Sequence, residues 1–120
     1  VPISKLAECV VETKQDIEAS GLIAPIVGHV GDGNFHLVIL VDPENSTEVE
    51  QAAALNDRVV HRALAAGGTC SGEHGVGYGK LQFLDTEHGA ALSVMRTIKA
   101  ALDPQNLMNP GKIVAPEAHD

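Results

Sequence analysis

Residues 28–36 have the sequence Gly-His-Val-Gly-Asp-Gly-Asn-Phe-His, in which glycine, aspartate and asparagine separate two apolar runs. These residue types accept the positive φ values that tight turns need. The apolar runs cover 22–30 and 35–41, and we predict that they form two strands joined at 31–34. Because 35–41 is mostly apolar on both sides, we expect both faces of this strand to be covered. The segment therefore predicts an antiparallel hairpin.

Helical periodicity flanks this hairpin on both sides. Apolar residues recur at helical spacing over 4–20, 47–66 and 87–102. Thr47 and Glu50 fit a capping box at the start of the second of these helices. With 120 residues, no internal repeat and no linker, the chain is predicted to be one α+β unit in which helices flank an antiparallel hairpin.

The composition excludes several classes of partner. The chain has 8 basic and 16 acidic residues, which give a formal net charge of −8. This charge argues against a nucleic-acid backbone or an anionic membrane as partner. The apolar runs stay below the roughly 18 residues of a membrane span, and the N-terminus lacks the pattern of a signal peptide. It also lacks an initiator Met, which suggests a piece of a longer polypeptide.

The cysteines indicate the compartment. Cys9 and Cys70 are far apart and form no metal or redox motif. We expect two reduced thiols in an intracellular protein. The expected location is the cytoplasm, and peripheral association with a membrane stays open.

Two histidines bracket the glycine-rich turn. If Val30 pairs with Phe35, then His29 pairs with His36, and directly paired residues point to one face with Cβ atoms about 4.5–5.5 Å apart. That separation suits two imidazoles on one metal ion, and a slip of register would remove it. The alternative is that one histidine lies on the surface while the other packs in the sheet.

A second cluster has the sequence Ser71-Gly72-Glu73-His74-Gly75-Val76-Gly77. Adjacent residues in extended backbone point opposite ways, so we expect one of Glu73 and His74 to serve a metal and the other to face a substrate. His29, His36 and Glu73 would form a two-histidine, one-carboxylate set suited to Zn²⁺, Mn²⁺ or Fe²⁺ as Lewis acid. His74 would then act as the base. The alternative is a flexible glycine loop in which both side chains are incidental.

Three segments, in order, resemble the C-terminal region of FAD-linked 2-hydroxy-acid dehydrogenases. That family includes D-lactate, glycolate and D-2-hydroxyglutarate dehydrogenases and is related in fold to vanillyl-alcohol oxidase. The segments are 28–36, 71–77 and Leu102-Asp103-Pro104-Gln105-Asn106-Leu107-Met108-Asn109-Pro110-Gly111-Lys112. The resemblance covers essentially all of 1–120. It implies the C-terminal portion of the substrate (cap) domain of a vanillyl-alcohol oxidase-like flavoenzyme, without the flavin-binding domain.

The resemblance also implies a mechanism. The equivalents of His29, His36 and Glu73 bind a divalent metal, with Zn²⁺ or Mn²⁺ expected, and this metal holds the carboxylate and hydroxyl of the substrate. The equivalent of His74 takes the hydroxyl proton, and the C2 hydride passes to the flavin. These roles agree with the general chemistry of metal-bound hydroxyls, imidazole bases and flavins.

Three further residues have roles implied by the resemblance. Asn34 is expected to shape the turn and is placed on the substrate side. Asn109 and Lys112 lie in a tail that returns toward the flavin domain in the family, so we expect them to contact the cofactor. A simple loop is the equal alternative for both.

The chain also departs from the family. The resemblance implies that the flavin domain and the first half of the substrate domain, with the arginines that hold the substrate carboxylate, are not within residues 1–120. We therefore expect this chain alone to bind FAD weakly, to be inactive and to expose apolar surface that self-association into a homo-oligomer could cover. Val38 stands where the hydroxyglutarate enzymes have a polar residue, which favours a small substrate such as D-lactate or glycolate. The alternative function is a non-catalytic metal-binding module or a remnant without enzymatic activity.

Overall fold

The computed structural model describes residues 1–114, and the chain separates into two compact units. The first unit is Val1–Gly72, and the second begins at Glu73. The sequence predicts one α+β unit, whereas this division falls within the glycine-rich stretch after the second helix. The α+β class itself is confirmed, because the described elements are helices and a two-stranded antiparallel sheet.

Two long helices form most of the first unit. Helix α1 spans Ile3–Ser20 and helix α2 spans Ser46–Ala65, so the predictions of 4–20 and 47–66 are confirmed to within one residue at each end. The predicted capping box at Thr47 is wrong. Asn45 is the N-cap: its side-chain oxygen accepts a hydrogen bond from the Glu48 N–H, and its amide donates to Glu48 Oε1 at 3.0 Å.

A polar network joins α1 to α2 beside the core of the first unit. Thr13 is fully buried, with 0% of its surface exposed, and its hydroxyl accepts a hydrogen bond from Arg62 Nη1 at 3.0 Å. Asp16 accepts hydrogen bonds from Arg62 Nη2 at 2.9 Å and from Arg58 Nε at 2.9 Å. Leu55, which precedes Arg58 on α2, is also buried. The network satisfies polar groups that the packed helices withdraw from water.

The hairpin is shorter than predicted and has another register. Strand β1 is Ile26–Val27 and strand β2 is His36–Leu37, with an isolated bridge between Ile23 and Leu40. Val27 pairs with His36, so the expected pairing of His29 with His36 is wrong. The loop begins one residue earlier because Val30–Asp32 forms a 3₁₀ turn that ends at Gly33, whose φ of 71° suits glycine.

One face of the hairpin is open among the described residues. Ile23, Val27, Val38 and Leu40 share that face by strand alternation, and between 46% and 68% of the surface of each is exposed. Ala24, on the opposite face, is buried. The expectation that the second strand is covered on both faces is therefore wrong for the described part of the chain, and the expected exposed apolar surface is found here.

The second unit contains two helices where the sequence predicts one. Helix α3 spans Leu84–His88 and helix α4 spans Ala91–Leu102. The predicted helix over 87–102 is interrupted at Gly89, whose φ of 49° and ψ of −123° are incompatible with a continuous helix. Phe83, Leu84 and Leu92 are the buried apolar residues near this break. No helix among residues 1–114 has the length and apolar character needed to cross a membrane.

The tail after α4 is ordered by one carboxylate. Asp103 is buried and accepts hydrogen bonds from the Leu107 and Met108 N–H groups, both at 2.8 Å. Lys99 pairs with the same carboxylate. The hydrogen bonds fold 103–108 into a tight loop, so this part of the tail is held by specific contacts.

Candidate functional site

The hairpin turn places the two candidate histidines in diagonal positions. The His29 carbonyl accepts hydrogen bonds from the Asp32 N–H at 2.9 Å and the Asn34 N–H at 3.3 Å, so His29 lies opposite Asn34. His36 lies opposite Val27. The loop shift changes the register by two residues, which preserves strand alternation. His29 and His36 therefore still belong to one side of the ladder, as diagonal neighbours roughly 7–8 Å apart.

Asn34 sits where three backbone segments approach one another within the first unit. A Cβ atom built at Gly28 would overlap the Asn34 carbonyl oxygen and lie 2.6 Å from Phe35 Cα. A Cβ atom built at Gly72 would overlap Asn34 Oδ1 and lie 3.1 Å from Asn34 Cγ. The backbone itself requires glycine at Gly28, whereas a side chain at Gly72 would have to displace the Asn34 amide.

Glu73 and His74 point toward each other. Glu73 Oε1 lies 3.5 Å from His74 Nε2, and 43% and 71% of these side chains, respectively, are exposed. The expectation that they point opposite ways is wrong, because the backbone bends here and Gly75 follows with a φ of 77°. A carboxylate beside an imidazole can orient the ring and stabilise its protonated form.

The tail contacts the loop that follows His74. Lys112 Nζ lies 3.1 Å from the centroid of the Tyr78 ring, and the Tyr78 hydroxyl donates to the Pro110 carbonyl at 3.3 Å. The Ile113 N–H donates to the Gly77 carbonyl at 3.2 Å. Tyr78 is the one tyrosine of a nearly aromatic-free chain, and this rarity is the sequence signal by which its contact could have been found.

Asn109 has a turn role in this tail. Its φ is 46°, and its carbonyl accepts a hydrogen bond from the Lys112 N–H at 3.2 Å. Asparagine tolerates this left-handed conformation better than most residues. The predicted cofactor contacts of Asn109 and Lys112 stay predictions.

The chemistry of the donors fits a divalent cation. His29 and His36 offer imidazole nitrogens from one side of the hairpin, and Glu73 offers a carboxylate. Imidazole and carboxylate ligands are those that Zn²⁺ and Mn²⁺ accept in sites with open coordination positions.

A family model described as "FAD linked oxidases, C-terminal domain" matches residues 1–113. The chain is 53% identical over 115 residues to the mitochondrial D-lactate dehydrogenase (cytochrome) 1 of Saccharomyces cerevisiae, covering 94% of this chain and 19% of the relative. It is 47% identical over 117 residues to the mitochondrial D-lactate dehydrogenase (cytochrome) of Arabidopsis thaliana, covering 97% and 21%.

A bacterial relative is named for a different activity. The chain is 38% identical over 120 residues to the glycolate oxidase subunit GlcD of Bacillus subtilis, covering 98% of this chain and 25% of that protein. The chain thus spans between about a fifth and a quarter of the length of these relatives. These findings confirm the resemblance stated from residues 28–36, 71–77 and 102–112.

Proposed function

Because the chain belongs to the C-terminal domain family of FAD-linked oxidases, we propose that it is part of an FAD-dependent enzyme that oxidises a small D-2-hydroxy acid to the 2-oxo acid. The observation that supports this most is the family match over residues 1–113. The names of the relatives, D-lactate dehydrogenase and glycolate oxidase subunit, agree in substrate class. The flavin would be held by a flavin-binding domain of the same protein.

The proposed metal ligands are His29, His36 and Glu73. A bound divalent cation, Zn²⁺ or Mn²⁺, would supply the Lewis acidity that lowers the pKa of the substrate hydroxyl, and FAD would supply the redox chemistry. His29 and His36 contribute from one side of the hairpin.

His74 is the proposed general base. Its imidazole is largely exposed and lies 3.5 Å from Glu73 Oε1. A neutral imidazole accepts the hydroxyl proton. Asn109 and Lys112 are proposed to contact the cofactor from the tail, and Asn34 to shape the substrate side of the turn.

The open face of the hairpin supports a small substrate. Val38 lies two residues after His36 and shares its face, together with Val27. Both valines are exposed on that face. An apolar surface beside the proposed metal ligand accommodates a methyl group or a hydrogen atom on C2 and offers no partner to a second carboxylate. We therefore propose D-lactate or glycolate as the substrate class.

The second candidate is a non-catalytic metal-binding module or remnant. A module of this kind would need the proposed ligands His29, His36 and Glu73 but no flavin. The cytoplasmic location and a homo-oligomeric state stay predictions. The yeast and Arabidopsis relatives are named as mitochondrial proteins.

Flavin reduction in the complete polypeptide tests the proposal. Anaerobic mixing with D-lactate or glycolate should bleach the flavin absorbance. His74→Ala should slow this step by about 10²-fold or more and leave the metal content unchanged. His61→Ala is the matched control, because His61 is an exposed α2 residue whose Nδ1 lies 2.9 Å from the Asp57 carbonyl oxygen. Metal binding without flavin reduction by either acid would favour the non-catalytic module instead.

A further inference from the structure

We infer that Asn34 is a positioning residue for the proposed metal centre, and that it acts by joining the three backbone segments that bear the ligands. The inference rests on the proposed function. It goes further because it assigns a role to the Asn34 side chain and to Gly28 and Gly72. These residues fix the backbone positions from which the ligand side chains extend.

The first contact is between backbones. A Cβ atom at Gly28 would lie 2.6 Å from Phe35 Cα and would overlap the Asn34 carbonyl oxygen. Real Cβ atoms do not approach backbone so closely, so Gly28 must be glycine for the two arms of the hairpin to meet here. His29 follows Gly28 directly, and this contact therefore fixes the backbone from which the His29 imidazole extends.

The second contact depends on a side chain. The volume that a Gly72 side chain would fill is occupied by the Asn34 amide group, with Cγ 3.1 Å from the position of a Cβ atom. Asn34 and Gly72 both belong to the first unit. Glu73 follows Gly72 directly in the chain, so the Asn34 side chain borders the residue from which the chain continues into Glu73.

Each proposed ligand therefore lies one or two residues from the Asn34 contacts. His29 follows Gly28, His36 comes two residues after Asn34, and Glu73 follows Gly72. Metal sites need their ligands held to within a fraction of an ångström, and residues that support the ligands usually change metal affinity by about 10–100-fold when they are replaced.

Turn formation alone does not explain an asparagine at this position. The left-handed position of the turn is Gly33, with a φ of 71°. Among residues 1–114, the non-glycine residues with positive φ are Asn106, Asn109 and Ile113, so Asn34 is not there to supply that conformation. Its hydrogen bond to the His29 carbonyl uses the backbone N–H, which nearly any residue provides. The described contact that depends on the Asn34 side chain is therefore the one with Gly72.

A double-mutant cycle on the complete polypeptide tests this role. The variants are Asn34→Ala, Gly72→Ala and the combination of both, and the probe is Zn²⁺ titrated against a chromophoric chelator. Gly72→Ala should displace the Asn34 amide and weaken Zn²⁺ binding by about 10-fold or more, and Asn34→Ala should weaken it similarly. In the double variant the alanine at 72 has room, so its affinity should equal that of Asn34→Ala.

Two further measurements separate positioning from folding. Thermal unfolding in excess chelator should differ little among the variants, because the group that must move is a short side chain and not backbone. Gly31→Ala is the matched control, since a Cβ atom at Gly31 would meet open space; it should leave Zn²⁺ affinity unchanged. Three results would contradict the role of Asn34 without contradicting the proposed metal centre. They are additive losses of Zn²⁺ affinity in the double variant, unchanged Zn²⁺ affinity in Gly72→Ala, and affinity losses that follow the unfolding temperature. A wild-type protein that does not bind Zn²⁺ would count against the proposed metal centre as well.

Discussion

Val27 faces His36 directly across the hairpin, as paired residues of β1 and β2. His29 lies two residues beyond Val27 along the same side of the ladder. The two imidazoles therefore extend from diagonal positions on one side of the hairpin, and we propose that they bind one ion. Val27, on the same side, is 46% exposed.

The first prediction concerns metal content. We expect the affinity for Zn²⁺ or Mn²⁺ to fall by about 10-fold or more in each of His29→Ala, His36→Ala and Glu73→Ala. Each variant removes one donor from the proposed set of three. Metal content after dialysis, measured by atomic emission, checks this. His61→Ala is the control on α2. Full metal retention in all three variants would refute the ligand set.

The second prediction concerns acid stability. Hydrogen bonding from Arg58, and further from Arg62, holds the pKa of Asp16 below its ordinary value of 3.8. This contribution to stability is complete above that value and is lost as the pH falls below it through the folded-state pKa. Asp16→Asn should therefore lower the free energy of unfolding by about 1–2 kcal/mol at pH 7, and the difference from wild type should shrink below pH 4.

Urea denaturation at pH 7, 5 and 3 measures this difference. The Asp16 side chain is only 14% exposed, so the effect should exceed that of a surface pair. Glu18→Gln is the matched control, because Glu18 pairs with Lys14 at 3.9 Å on an exposed face of α1. An Asp16→Asn difference that stays constant from pH 7 to pH 3 would contradict the assignment.

The third prediction concerns thiol reactivity. Burial raises the pKa of the Cys9 thiol above 9.0, and the nearby carboxylates of Glu12 and Glu8 raise it further. Little thiolate is present at neutral pH, and the sulfur is buried. In a Cys70→Ala variant, modification of Cys9 by iodoacetamide at pH 7.5 should be at least about 10²-fold slower in the native protein than in urea. Equal rates in both conditions would show that the thiol is accessible.

The fourth prediction concerns the contact between the tail and the loop. The pair of Lys112 and Tyr78 should contribute about 0.5–1 kcal/mol, as a cation over an exposed ring does. A double-mutant cycle of Lys112→Met and Tyr78→Leu, read by urea denaturation, measures this coupling. Tyr78→Phe is the control that retains the ring and removes the hydrogen bond to the Pro110 carbonyl. A coupling energy near zero would exclude the interaction in solution.

The helices of the first unit could be predicted from sequence because apolar periodicity determines them. The cap of α2 could not, since Asn45, Ser46 and Thr47 are consecutive and each is a suitable N-cap. The break at Gly89 in the predicted helix over 87–102 could not be predicted either, because an isolated glycine is tolerated within a helical pattern.

The register of the hairpin shows why the site was predicted only in part. Gly31-Asp32-Gly33-Asn34 permits more than one four-residue loop, and the choice depends on which residue takes positive φ. Gly33 takes it, which moves His29 out of direct pairing. The contact of Lys112 with Tyr78 joins residues that are far apart in the chain. A local sequence pattern does not predict such a contact.

The hairpin described between Ile23 and Leu40 has only two strands, so each strand has one outer edge whose backbone N–H and C=O groups are not used in the ladder. Such edges are templates for additional strands. In a longer polypeptide, neighbouring strands can extend the sheet from either side. Produced by itself at high concentration, the chain should pair edge to edge with other copies, and lysine or proline substitutions along these edges should keep it monomeric.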